Sequence, residues 1–236
     1  MTKTNTRLVA ISGAAGSGKS TAADALVARG WVQVAQADPI KRFCAQVFGF
    51  TEEQLWGPSE ARNAVDERYD TPAEWYAAWD RLREHAGAWL DELAEEPNAD
   101  ASLQRWFGSL AFEPISPRTT LQTLGVEWGR SRDAMIWTRV AIRDSEVAIW
   151  RGAPGVVVPD IRFRSELDAF KAAGALAVRI VRPGAGLSGE AGQHSSETEM
   201  AGIPDEAFDV VQKNAGTVAD IGRRMLGLCY ENSDGG

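Results

Sequence analysis

The residues best equipped for chemistry stand near the N-terminus, in the run Gly13-Ala-Ala-Gly-Ser-Gly-Lys-Ser20. Glycines at this density let successive backbone N–H groups turn toward one point and form an anion nest. A helix that starts there adds the positive end of its dipole. The spacing Gly-x4-Gly-Lys-Ser is that of a loop that cradles phosphates. On this reading Gly13, Ala15, Gly16, Ser17, Gly18, Lys19, Ser20 and Thr21 bind ATP. Lys19 reaches the β- and γ-phosphates, the Ser20 hydroxyl ligates Mg2+, and Thr21 is placed for the α-phosphate. The chain has no Asn-Lys-x-Asp motif of the kind that reads guanine.

Such a loop says that a triphosphate binds and leaves its fate open. In a parallel sheet ligands gather at the carboxyl ends of the strands. Asp38, just after the second apolar run, therefore falls near the γ-phosphate as a carboxylate that orients the acceptor or orders magnesium. It is equally suited to the N-cap of the helix that Pro39 opens. Lys41 and Arg42 lie one turn further, placed for an acceptor phosphate. Asp160 ends the apolar run that starts at Val156, as a carboxylate does when it holds Mg2+ through water. Arg162 and Arg164 follow, and guanidinium forks suit bidentate phosphate recognition. Arg162 is taken as catalytic; for Arg164 a surface ion pair with Glu166 is the alternative. His194 and Glu197 are candidate substrate contacts, and Arg182, upstream of them, joins the nucleotide-binding set.

These residues need a scaffold that collects strand ends. Short apolar runs at 7–12, 31–35, 155–160, 176–181 and 208–211 alternate with helical stretches. That is the pattern of an α/β fold with right-handed crossovers, a three-layer sandwich of the P-loop NTPase type around about five parallel strands. Gly30 reads as the C-cap of the first helix. Within one domain spanning 1–236, residues 59–116 read as a helical insertion and 183–204, rich in Gly, Ser and Glu, as a flap. Thr51 with Gln54 and Thr71 with Glu74 open helices as capping boxes. Trp75, Trp79, Leu82, Ala86, Trp89 and Leu93 fall on one helical face. Such a stripe is packing or a base-stacking platform, and its helical spacing favours packing.

A net charge of -8 argues against duplex binding, though a local basic cluster could still grip a small phosphorylated substrate. Cys44 and Cys229 have no metal-ligand spacing and read as buried thiols in a reducing compartment. The first residues are polar, and no run approaches the ~20 apolar residues of a membrane helix. A cytoplasmic protein with no membrane partner is expected. Monomer and homodimer both stay open.

Five blocks, in order, carry a family likeness. They are residues 13–21; Ala37-Asp-Pro-Ile-Lys-Arg42 running on to Trp56; Pro117-Arg-Thr-Thr-Leu-Gln-Thr-Leu-Gly-Val-Glu-Trp-Gly-Arg130; Val158-Pro-Asp-Ile-Arg-Phe-Arg-Ser-Glu166; and Arg179-Ile-Val-Arg-Pro183 with His194-Ser-Ser-Glu197. Together they resemble the bacteriophage deoxynucleoside monophosphate kinases, relatives of dephospho-coenzyme A kinases. The resemblance implies transfer of the ATP γ-phosphate to a deoxynucleoside 5′-monophosphate, with Mg2+, in a host cytoplasm. It also implies that Arg118, Gln122, Trp128 and Arg130 line the monophosphate and base pocket. Arg118 and Gln122, at i and i+4, share a helical face, where a solvated surface is the plain alternative. The tryptophan-rich insertion matches nothing in that likeness. Two other functions fit a P-loop: a kinase acting on a hydroxyl, such as a modified base in phage DNA or a coenzyme precursor, and a catalytically silent nucleotide-binding protein. Lys19, Asp38 and Asp160 argue against the second.

Overall fold

Five parallel strands, β1 (Leu8–Ser12), β2 (Val32–Gln33), β3 (Val156–Ile161), β4 (Leu176–Val181) and β5 (Val210–Lys213), form one sheet in the order β2-β3-β1-β4-β5. The computed structural model describes residues 6–93, 99–185 and 195–230, with the backbone alone at 195–198 and 218. Their helices are α1 (Lys19–Val27), α2 (Asp38–Phe48), α3 (Glu52–Trp56), α4 (Ser59–Asn63), α5 (Pro72–Leu93), α6 (Ala99–Leu110), α7 (Pro117–Gln122), α8 (Ile136–Trp150), α9 (Arg164–Ala172), α10 (Ser195–Gly202) and α11 (Val218–Tyr230). Two compact units emerge. One holds the sheet and draws on the chain before Ala37 and after Val140; the other is Ala37–Val140. Among the described residues no helix is long and apolar enough to cross a membrane.

In the sheet unit the strands alternate their side chains between two apolar layers, as the period of two requires. Val9 and Ile11 pack with Ala22, Ala23 and Leu26 of α1 and Ile221 and Met225 of α11. Leu8 and Ala10 face the other way, to Ala141 of α8 and Leu167 and Phe170 of α9. Each fully buried Leu or Phe of this kind stabilises the fold by about 1.5–3 kcal/mol. The three-layer α/β sandwich anticipated from the alternating runs is what forms. Gly30, at φ 85°, closes α1: its N–H reaches the Val27 carbonyl and the Trp31 N–H the Leu26 carbonyl, a Schellman ending.

The helical unit has its own core, built on the tryptophan stripe. Trp75, Leu82, Ala86, Trp89 and Leu93 of α5 are buried with Phe43 and Phe48 of α2 and Leu103 and Phe107 of α6. Trp89 stacks on Phe43 with ring centroids 4.1 Å apart and lies 5.3 Å from Trp128. The stripe is packing. Both cysteines are buried as expected, and burial pushes the Cys229 thiol up to about 11.

Two local expectations change. Asp38 is not the N-cap of α2; the cap is Ala37, whose carbonyl accepts the Lys41 N–H, and Asp38 is the first helical residue. Ala37 lies in the helical region, at φ −83° and ψ −10°, so the turn closes one residue early. Residues 117–130, where Arg118 and Gln122 were expected on one helical face, divide into α7 and a π-helical segment at Thr123–Arg130. Its glycines explain the departure. A Cβ on Gly129 would stand 2.3 Å from the Trp137 ring, and the Gly125 carbonyl accepts the Trp137 indole N–H at 2.8 Å. The backbone is moulded onto that indole, and the wider turn follows.

Candidate active site

The loop between β1 and α1 has the geometry its composition requires. Gly13, Gly16 and Gly18 have φ of 150°, 74° and 104°, values that side chains strongly disfavour. A Cβ on Gly13 would stand 2.4 Å from the Ile180 carbonyl oxygen, whereas one on Gly16 would meet nothing within 4 Å. The first glycine is therefore fixed by the sheet behind it and the second faces open space. Gly18 is the N-cap of α1, so the first N–H groups of that helix point into the loop. Lys19 Nζ donates to the carbonyls of Gly13 (2.5 Å) and Ala14 (2.9 Å), which holds the ammonium over the loop. Ser20 is exposed and Thr21 half-buried on the first turn of α1, while Ser17 is buried, its Oγ without a hydrogen-bond partner among the described residues.

The neighbouring strand ends deliver the other residues of this unit. Between Ala10 and Ser12 the pairing of β1 with β3 slips by one residue, from Val158 to Ile161. Pro159, which has no N–H to give the ladder, lies in that slip beside Asp160, and such a bulge re-aims the next side chain. Asp160 Oδ2 accepts the backbone N–H of Gln36, just past β2. Arg162 follows β3 with an exposed side chain. Glu166 is buried and accepts the N–H groups of Arg162 and Phe163, capping α9. Arg164 instead forks onto Asp168, both oxygens at 2.9 Å from Nε. Arg182 is exposed at the end of β4.

Asn214 is the residue that the sequence reading missed. It follows β5, is 7% exposed, and donates from Nδ2 to the Ser17 carbonyl at 2.8 Å. The signal was available: a polar residue directly after the fifth strand, where ligands gather.

Most of the remaining candidates lie on the helical unit. Lys41 stands over the Trp56 ring, 5.2 Å from its centroid. Arg42 pairs with Glu92 at 3.1 Å. Arg118 and Gln122 are both exposed on α7, where the i, i+4 spacing does bring them to one face. Ser116 starts that helix through a capping box with Thr119. Trp128 and Arg130 lie on the π-helical segment, outside the α-helical phase that would align them with Arg118 and Gln122. Trp128 is buried, its indole N–H given to Ser102 Oγ at 2.9 Å, with the Arg132 guanidinium over its ring. Arg130 is half-buried. His194 lies outside the described residues, as does 186–194 of the flap, and Glu197 falls on the first turn of α10, where the backbone alone is described.

Known proteins converge on this chemistry. The family described as deoxynucleotide monophosphate kinase matches residues 102–225, just over half of the chain, from α6 into α11. A putative deoxynucleotide monophosphate kinase of Acanthamoeba polyphaga mimivirus is 26% identical over 242 residues, covering 96% of this chain and 97% of that one. The deoxynucleotide monophosphate kinase of Enterobacteria phage T4 is 31% identical over 109 residues, 45% of this chain and 42% of its own. An uncharacterized protein, ORF77, of Ictalurid herpesvirus 1 (strain Auburn) is 32% identical over 103 residues, 43% of this chain and 45% of its own. The matched span lies wholly beyond residues 13–21. The chain belongs to the deoxynucleotide monophosphate kinase family: it is a nucleotide kinase whose phosphoryl acceptor is a deoxynucleoside monophosphate.

Proposed function

We propose that the sheet unit binds ATP through residues 13–21, that the helical unit reads the deoxynucleoside monophosphate, and that the γ-phosphoryl group passes in line to the acceptor 5′-phosphate, giving the diphosphate. One observation supports the donor half above all: three left-handed glycines and a lysine held over them by two loop carbonyls. Little covalent work is left to the protein in such a transfer, so positioning and charge stabilisation carry the rate. The loop N–H groups and Lys19 neutralise the β- and γ-oxygens, with Arg162 adding charge as the γ-group moves. Arg182 steadies the nucleotide. Asp38, first residue of α2 and two residues beyond the Gln36 N–H that Asp160 accepts, orients the acceptor. Arg118, Lys41, Arg42 and Arg164 serve the acceptor phosphate, and Gln122, Trp128, Arg130, His194 and Glu197 complete its pocket.

The Ser20 hydroxyl and the Asp160 carboxylate are hard oxygen donors that fit Mg2+, an ion that takes one or two protein ligands and completes its shell from phosphate and water. When bound, Mg2+ would supply positive charge that offsets the charge developing on the transferred phosphate. Residues 183–204 are proposed to act as a flap that excludes water from the transfer. The net charge of -8 favours small nucleotides over nucleic acid as substrates, in the cytoplasm.

A panel of natural and modified deoxynucleoside monophosphates, incubated with the purified protein and Mg-ATP and separated by chromatography, tests this reading. At least one diphosphate product is expected. Hydrolysis of ATP with no phosphorylated acceptor, or no turnover at all, would overturn it.

A further inference from the structure

The phosphate loop is held from outside by a side chain that nothing in its own motif specifies. Asn214 follows β5, and its backbone N–H continues the β4–β5 ladder by donating to the Val181 carbonyl at 2.7 Å. Its amide nitrogen then spans 197 residues of sequence to donate to the Ser17 carbonyl at 2.8 Å, in a buried setting. A carbonyl can only accept, so the NH2 end of the amide is the end that faces it. Gly18 leaves the room: a Cβ there would stand 2.6 Å from Asn214 Nδ2. Across a trans peptide the C=O and the following N–H point in opposite directions, and the chain has no cis bond among the described residues. Fixing the Ser17 carbonyl toward Asn214 therefore fixes the Gly18 N–H away from it, out of the helix N-terminus and into the loop.

We propose that Asn214 is a positioning residue for the phosphoryl donor: it aims the Gly18 N–H at the triphosphate by holding the Ser17–Gly18 peptide from behind. The inference rests on the reading of residues 13–21 as the ATP site. It also explains why this glycine is needed twice, for a φ of 104° and for the space the amide occupies.

The test replaces Asn214 with leucine, which keeps its volume and loses the donor, and with alanine. Asn214→Leu is expected to raise the KM for ATP by up to about tenfold, the range of one lost hydrogen bond, with the KM for the deoxynucleoside monophosphate unchanged within about twofold. A packing role would not separate the two substrates. In 15N-labelled protein, adding Mg-ATP should move the Gly18 amide proton strongly downfield in the parent and much less in Asn214→Leu, while Gly16 moves in both. A folded Asn214→Leu with the parent's Gly18 shift and KM overturns the proposal. Should both variants fail to fold, the parent protein still decides it. The Asn214 side-chain amide protons must exchange slowly and slow further with ATP, and fast exchange refutes the bond. A parent protein whose loop amides ignore ATP would overturn the donor-site reading itself, and the proposal with it.

Discussion

The two units hold their functional groups by different means. In the sheet unit the site we propose rests chiefly on main chain: N–H groups at Gly16 and Gly18, turned by backbone angles and steadied by strand ends. The groups we propose in the helical unit are side chains, Arg118 and Gln122 on α7, carried on a helix that packs over an aromatic core. A backbone site depends on spacing, because spacing sets where glycines relax the chain. A side-chain site depends on helical phase, and phase is set by tertiary packing, which one chain's pattern reports only in part.

The sharpest way to break this comparison is at the side chain held over the loop of the sheet unit. Lys19→Ala should leave the loop's backbone intact and lower kcat at least about a hundredfold, as loss of one transition-state donor does. Melting temperature should stay near that of the parent. A rate within twofold of the parent would remove Lys19 from the chemistry. The counterpart in the helical unit is Trp89→Ala. Its ring stacks on Phe43 and its N–H is given to the Pro39 carbonyl at 3.2 Å, one residue into α2. A Trp-to-Ala cavity costs about 3–5 kcal/mol, so urea unfolding should show a large loss of stability. A variant as stable as the parent that no longer binds its acceptor would return the stripe to base stacking.

How far the sequence could be read follows the same division. The loop, the strand that feeds it, the capping box at Thr51 and the Gly30 ending were all visible as local patterns, because each is local physics. Asp38 was displaced by one position since Ala37 already adopts helical angles. The π-helical segment was hidden, although its cause, Gly125 and Gly129, stood in plain view. Nothing in the run says that Trp137 will press against them. The surface ion pair offered as the alternative for Arg164 forms with Asp168, while Glu166 is recruited to cap α9, a demand made by the buried turn rather than by charge. Asn214 went unseen because its partner is 197 residues away.

Within the sheet unit, two glycines allow a graded test of the claim that the backbone carries the site. Gly16→Ala meets no atom within 4 Å and suffers only from its φ of 74°, a cost of about 1–2 kcal/mol. Gly13→Ala adds a collision with the Ile180 carbonyl, and overpacking raises the total to about 3 kcal/mol. Equilibrium unfolding should rank Gly13→Ala as the less stable of the two. The reverse order would mean that the loop is not held by β4 as described.

The smallest effect belongs to the helical unit, at a carboxylate that serves structure alone. Asp66 is buried and accepts from the Arg68 side chain, the Arg68 backbone N–H and Gln54 Nε2. The Arg68 hydrogen bonds, against the opposing effect of burial, hold its carboxyl below the usual carboxylate range. A depressed folded value means that the unfolded chain binds the proton more readily. The stabilisation is thus fully present above the ordinary aspartate value of about 3.9 and is lost as pH falls through the lower folded value. Asp66→Asn should destabilise the protein modestly at pH 7, because Arg68 is partly solvated and the pair is screened. It should also flatten the acid limb, since one proton uptake on unfolding is removed. Urea midpoints measured from pH 6 down to pH 3 decide the matter: parallel curves for the parent and Asp66→Asn would show that the carboxylate is not held in the charged form by Arg68.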